Sequence, residues 1–453
     1  MCYNNPLRGV DTVIRKLNMI LVLLLAVSLL SGCAMMTVDQ MYSLPKRSAE
    51  HQQLQAAIDS AISGLEYSSP LSGENQQTVQ MADLDGDQEP EYLLFAKGTS
   101  DTPMQILIFK EYDEKFQLMQ TVKNPGSAFA QIEYVNLDGK PGMELVVGLR
   151  LSGQVLRYLT VYSFEDGQCQ QLMAVNYSKF LTCDLDSDGL SEILIISDGE
   201  AEDGCAVASL YSFRDEAMSR SREAALSESS DHIKRIMVST LHGGANAVYI
   251  ASTVEESAII TDVLALRDGE FCNVSLSNES GTSIQTMRNY YVYADDIDND
   301  GTLEIPGLIT MAPVEDFRPG GAQHLIGWYA MDLSGNEIDK MHTFHNFDGG
   351  WYLELDGTYA RRVSVAQQGR DYTFYIWDER YENAAKVMTI FAFSGSKRQE
   401  QAQEDGRFLL HKTDGVVYAA KLADGAADYG ITRESLADSF HLIHLDWKSG
   451  ETE

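Results

Sequence analysis

Basic residues are scarce in this chain: 34 Lys and Arg stand against 67 Asp and Glu, a formal net charge of -33 over 453 residues. A surface of that sign repels nucleic acid and anionic headgroups, so nucleic-acid binding is disfavoured. Cysteine is scarce too. Of the six, Cys2 and Cys33 lie near the N-terminus, and Cys169, Cys183, Cys205 and Cys272 are too few to staple so long a chain. No CxxC is present for zinc, and buried free thiols are the expected state. GxSxG, HExxH, P-loop and GxGxxG patterns are all missing, which removes the recognisable nucleophile, zinc-hydrolase and nucleotide sites. A carboxylate pair leaves no such signature, so acid–base catalysis stays open. Hydrophobic residues at 44% are enough to fill a core.

One long apolar run stands out, Leu17 to Leu30, behind a basic start of Arg8, Arg15 and Lys16. It is shorter than the ~20 residues of an ordinary membrane span and reads as the core of a signal peptide. Leu30, Ser31, Gly32, Cys33 follows at once. That tetrapeptide resembles a bacterial lipobox, which implies cleavage before Cys33, diacylation of its thiol, and a mature chain tethered on the extracytoplasmic face of the cell membrane. Residues 1–32 are thus expected to be a leader, 33–47 a lipid-anchored spacer, 48–76 a helix and lead-in, 77–447 the main fold and 448–453 a tail. Within 48–76, Leu54, Ile58 and Ile62 recur at helical spacing, predicting an amphipathic helix over Ser48 to Ser63.

From Thr78 the periodicity changes to that of short strands, and a nine-residue acidic pattern recurs between them. Asp184, Asp186, Asp188 and Glu192 occupy positions 1, 3, 5 and 9, with Gly189 at position 6 for a tight turn. The same pattern begins at Asp83, with Asp85, Asp87 and Glu91, and at Asp296, with Asp298, Asp300 and Glu304. Oxygen ligands converging from four carboxylates suit a hard cation, and calcium is the expected ion at about three sites. Without a cation, four carboxylates in nine residues repel one another. An EF-hand is excluded, because position 12 is Leu94, Ile195 and Gly307 instead of a bidentate Glu, and strands rather than helices flank the loops.

Worn copies begin at Asn136, with Asp138 and Glu144, and at Asn346, with Asp348 and Glu354. Lys140 stands at position 5 of the first of these, where its ammonium is expected to replace the ion. Loop starts at 83, 136, 184 and 296 give gaps of 53, 48 and 112, the last near twice the others. Near its midpoint, Ile236 to Leu241 and Ala247 to Ala251 flank the turn at His242, Gly243 and Gly244, a unit stripped of carboxylates. Units of about fifty residues, each with four short strands, indicate an all-β fold, a β-propeller with short terminal helices. Six units are visible. Strands at Phe408 to His411, Val416 to Leu422 and Leu442 to Trp447, with an N-terminal strand, are expected to complete a seventh blade. Thr432 is expected to cap a short helix, and the polar Ser219 to Asp231 to form an exposed loop or short helix.

Loop pattern and spacing resemble the FG-GAP and VCBS repeats of integrin α-subunits and bacterial surface proteins. The resemblance places each loop between the first two strands of a blade and adds the position-7 carbonyls of Glu89, Leu190 and Thr302 to the ligands. It also departs. Gln88 replaces glycine at position 6 of the first loop, where a positive φ would cost roughly 1 kcal/mol. Gly350 supplies no ligand in the loop at Asn346. Pairs that could suggest other chemistry read as structural: His342 and His345 point to opposite faces of a strand, His441 and His444 belong to a packed terminal strand, and Trp351 and Tyr352 to core. The expected function is a membrane-tethered binding module for a protein or glycan, its blades stiffened by calcium. The alternative is a surface hydrolase or lyase acting on envelope or extracellular polysaccharide.

Overall fold

Apolar runs such as Leu93-Leu94-Phe95-Ala96 and Ile193-Leu194-Ile195-Ile196 are buried along their whole length, as expected of a strand covered on both faces. They are the inner strands of six antiparallel sheets in a computed structural model. It describes residues 49–443 and Trp447, apart from 114, 152–155, 166, 200–203, 256–257, 290–291, 313–323, 379 and 381–382. The leader, the spacer with Cys33 and the tail lie outside the described residues. Two compact units are present: a small one through Ala61 with Glu111–Phe116, and the body, Ile62–Lys110 with Gln117–Glu453. In the first, the helix runs Ala49–Ala61, within the predicted span.

The first four sheets follow the repeat. The first contains Val79–Ala82, Glu91–Lys97, Met104–Tyr112 and Lys115–Asn124; the second Ala128–Val135, Glu144–Arg150, Arg157–Glu165 and Gln168–Tyr177. The third contains Lys179–Cys183, Glu192–Asp198, Ala206–Arg214 and Ala217–Ala225; the fourth Ile233–Thr240, Asn246–Val254, Ala258–Arg267 and Glu270–Asn273. The carboxylate-free unit is therefore a real sheet. Ala217–Ala225 corrects the first half of the expected loop or short helix at Ser219 to Asp231, with buried Met218 and Ala224 on an outer strand paired with Ala206–Arg214; the second half is a loop running into the short 3-10 helix Ser230–His232.

Alternation along the inner strands stacks the sheets in chain order. Leu145 and Val147 pack with Leu93 and Phe95 of the first sheet, while Val146 packs with Ile193 and Ile195 of the third. Leu194 and Ile196 meet Val248 and Ile250 of the fourth, whose Ala247 and Tyr249 meet Ile305 and Tyr329 of the fifth. Phe344, Trp351 and Leu353 then join Phe374 and Ile390 of the sixth.

No seventh sheet is present among the described residues. Glu66–Tyr67 pairs with Glu91–Lys97 in the first sheet, and Phe440–Leu442 pairs with Trp351–Leu355 in the fifth. Phe408–Lys412 and Val416–Leu422 complete the sixth, beside Val363–Gln368, Asp371–Ile376 and Ala385–Ser394. The strands expected in a seventh blade instead widen three sheets. The terminal helix, Arg433–Asp438, carries a capping box between Thr432 and Ser435. Trp351 and Tyr352 are core, and Cys169, Cys183, Cys205 and Cys272 form no disulfide with one another; only Cys183 is buried as expected, the other three being half-buried.

Candidate metal centre

The Asp83 and Asp184 loops each join an incoming strand to the inner strand, whereas the Asp296 loop follows the single Asp295–Glu304 bridge and leads into Ile305–Thr310; in all three, two backbone positions in the left-handed region fold the loop. Position 6 is one: Gln88 at φ 74°, Gly189 at 89° and Gly301 at 86°. Position 4, unremarked in the sequence, is the other: Gly86, Gly139, Ser187 and Asn299 all have positive φ. The anticipated strain at Gln88 is therefore present.

Position 9 closes the loop in the same way four times. Glu91, Glu144 and Glu192 each accept a 2.8 Å hydrogen bond through Oε2 from the N–H of position 2, at Leu84, Leu137 and Leu185; Glu304 accepts one of 3.2 Å from Ile297. These glutamates are buried. Ligand atoms within 4.8 Å of one another come from Asp83, Asp85 and Glu91 in the first loop, Asp184, Asp186 and Glu192 in the second, and Asp296, Asp298 and Asp300 in the third. Asp87, Asp188 and Glu304 are the members of the predicted sets that fall outside these trios.

Electrostatics separate the loops. At Asp184, burial and then the charges of Asp186, Asp188 and Asp184 push Glu192 up to about 7, against the hydrogen bond from Leu185. Burial also raises Asp186, and no lysine or arginine ion pair relieves the loop among the described residues. Asp184 Oδ1 is buried without a hydrogen-bond partner. The loop opens onto a cavity of about 710 Å³, lined in part by Asp186, Glu192, Ser212 and Asn246. An orphaned carboxylate oxygen beside an uncompensated acid set is what a divalent cation would satisfy, so these residues fit a hard divalent ion.

At Asp296, burial pushes Glu304 up to about 7 and its Oε1 is likewise orphaned. Lys340, however, pairs closely with Asp300 and reaches within 3.5 Å of Asp298 and 3.9 Å of Glu304. At Asp83, Lys110 fills the acid set: its Nζ pairs closely with Asp85, lies 2.7 Å from Asp87 and 2.9 Å from Glu91, and its side chain is 6% exposed. Burial opposes the Lys110 charge, but its bonds to the three carboxylates outweigh that and hold its pKa above the usual lysine range. The sequence reading missed both lysines, which lie outside the nine-residue pattern.

The worn loops use their groups differently from the intact ones. Lys140 turns outward to Glu165 at 3.1 Å and Asp138 at 3.4 Å, its side chain half exposed, so its partners are Asp138 and Glu165 and not Glu144. The Asn346 turn joins Glu337–Asn346 to Trp351–Leu355, the later strands of the fifth sheet, and is not the inner-strand loop of a further unit. Asn346 Oδ1 accepts from the Gly349 N–H, and Glu354 pairs with His441 at 2.7 Å. Glu354 of that copy is thereby drawn to another partner.

The loops also stitch sheet to sheet. Met143 N–H donates to the Asp83 carbonyl, Ser191 N–H to the Asn136 carbonyl, and Asn246 Nδ2 to the Asp184 carbonyl. Ser239 and Thr240 hydroxyls donate to the Gly301 carbonyl. Glycine is required at 142, where a Cβ would lie 2.3 Å from the Leu84 carbonyl oxygen.

No family model and no curated protein matches this chain. Among solved structures it is similar to the exotype rhamnogalacturonan lyase YesX, at 13% identity and TM-score 0.30 over 72% of this chain and 69% of that one. It is also similar to a Bacillus licheniformis rhamnogalacturonan lyase, at 12% and 0.31 over 71% and 72%, and to a Lactobacillus plantarum protein, at 12% and 0.25 over 70% and 86%. Likeness this faint carries no argument about activity or ligand.

Proposed function

We propose that this chain is a lipid-anchored, extracytoplasmic scaffold of propeller-like blades, in which calcium stiffens the sheet junctions and the surface presents a binding face to a protein or glycan. The observation that carries it is the Asp184 loop: a buried, orphaned Asp184 oxygen beside Asp186 and Glu192, on a loop bonded to Asn246 of the next sheet. Asp184, Asp186 and Glu192 would hold the ion, with Asp188 and the Leu190 carbonyl as further oxygens. Bound calcium would supply the charge that four clustered acids lack and lock one sheet to the next. Asp296, Asp298, Asp300, the Thr302 carbonyl and Glu304 would form a second site once Lys340 swings to solvent. Tethering rests on the Leu30-Ser31-Gly32-Cys33 lipobox resemblance, and the acidic surface favours neutral or cationic partners over nucleic acid.

Calorimetry of the full chain with calcium and with chelator tests the reading. A ligand at 100 times its Kd stabilises by about 2.7 kcal/mol, so the melting temperature should fall on chelation and return with calcium. Asp186→Asn should erase most of that difference. A melting temperature indifferent to chelator overturns the calcium assignment, and a Cys33→Ser chain that stays in the membrane fraction overturns the lipid anchor.

A further inference from the structure

We infer that Lys110 is a built-in cation standing where the first acidic loop would otherwise take a metal ion, so that the Asp83 loop is locked without metal while the Asp184 loop depends on it. The inference deepens the calcium reading by separating loops that look alike in sequence.

Position and register carry it. Lys110 follows Phe109, which pairs with Tyr92 across the inner strands, and this sets its side chain beside Glu91 at position 9. The corresponding neighbours in the next two sheets are serines: Ser163 follows Tyr162, the partner of Leu145, and Ser212 follows Tyr211, the partner of Ile193. A serine there adds no charge; a lysine delivers an ammonium. Its Nζ meets Asp85, Asp87 and Glu91 together, three of the four side chains that would ligate an ion. An ammonium within 3 Å of those oxygens and a divalent ion ligated by them at 2.3–2.6 Å cannot share the space.

Burial makes the arrangement durable. The Lys110 side chain is 6% exposed, against 18% for Lys340. Moving a buried lysine out would strand the fully buried Glu91 and the largely covered Asp85, whereas Lys340, farther from Asp298 and Glu304, is nearer solvent. The first loop is also sealed against the second sheet, its Asp83 carbonyl bonded to Met143 and its Leu84 carbonyl in close contact with Gly142. It thus does by covalent sequence what the Asp184 loop is proposed to do by binding an ion.

Calcium stoichiometry of the full chain, read by native mass spectrometry after equilibration with calcium alone, tests this. In the wild type, Asp85→Asn should leave the number of bound ions unchanged, while Asp186→Asn removes one. Lys110→Met should gain one ion, and adding Asp85→Asn to it should abolish the gain. If Lys110→Met folds only with calcium present, that dependence is itself the expected gain; if it folds in neither condition, the Asp85→Asn count decides. Loss of an ion from the wild type on Asp85→Asn, or no gain in a folded Lys110→Met chain, overturns the inference. A wild type that binds none while Lys110→Met binds one would defeat the calcium reading of the Asp184 loop and leave this inference standing.

Discussion

Glu192 accepts a 2.8 Å hydrogen bond from the Leu185 N–H through Oε2, so one oxygen of its buried carboxylate holds the loop shut and the other is free for a cation. Two roles in one side chain can be separated. Glu192→Ala leaves a buried N–H unpaired and should cost about 1–3 kcal/mol even with chelator present. Asp186→Asn keeps an amide oxygen that can still accept the 3.2 Å bond from the Asp188 N–H, so it should cost little in chelator and much more in calcium. Urea unfolding of both variants with and without calcium checks this, and equal behaviour of the two would remove the distinction.

Gln88 and Gly189 occupy the same loop position at φ 74° and 89°. A side chain at 189 would meet nothing within 4 Å, so any cost there is backbone strain. Gln88→Gly should stabilise, and Gly189→Ala destabilise, each by about 1 kcal/mol. Opposite shifts in urea midpoint are the expected result.

Trp447 is fully buried, 5.7 Å from Trp328 and 5.3 Å from His345 between ring centroids, and its Nε1 donates to Asp295 beside the third loop. Trp447→Ala should cost about 3–5 kcal/mol. Because Asp295 adjoins Asp296, the same variant should raise hydrogen exchange across residues 295–304; exchange confined to the C-terminus would contradict that coupling.

Burial, and then the positive charge of Arg361, lower the pKa of His342. The unfolded imidazole takes up its proton near pH 6.5 while the folded one resists. Stability from the neutral buried ring is therefore present above pH 6.5 and lost as pH falls through the folded value. His342→Gln should melt nearer to its neutral-pH temperature than the wild type does at pH 5, in paired scans at pH 5 and 7.5.

Particular residues show what was legible. The 1, 3, 5, 9 spacing and the apolar inner strands are local features, and the three intact loops and the apolar strands that follow them lie where the pattern puts them. Lys140 was legible as a lysine at a ligand position, yet it turns to Glu165, while Lys110, 19 residues beyond Glu91, enters an acid set. Nothing within nine residues distinguishes these cases, since each depends on which strand lies alongside. Gln88 shows the opposite limit: its strain follows from the turn alone.

By itself the sequence determined the repeating strands, the acidic loops with their tight turns, and an excess of negative charge, because backbone periodicity and carboxylate spacing act over a few residues. Only the tertiary structure decided how those acids are balanced and where the last strands go. Lys110 reaches its loop across a strand pair, Lys340 from a more distant strand, and Phe440–Leu442 joins the fifth sheet instead of opening a seventh. Charge compensation and edge pairing are satisfied through space, by whichever group packing brings within reach.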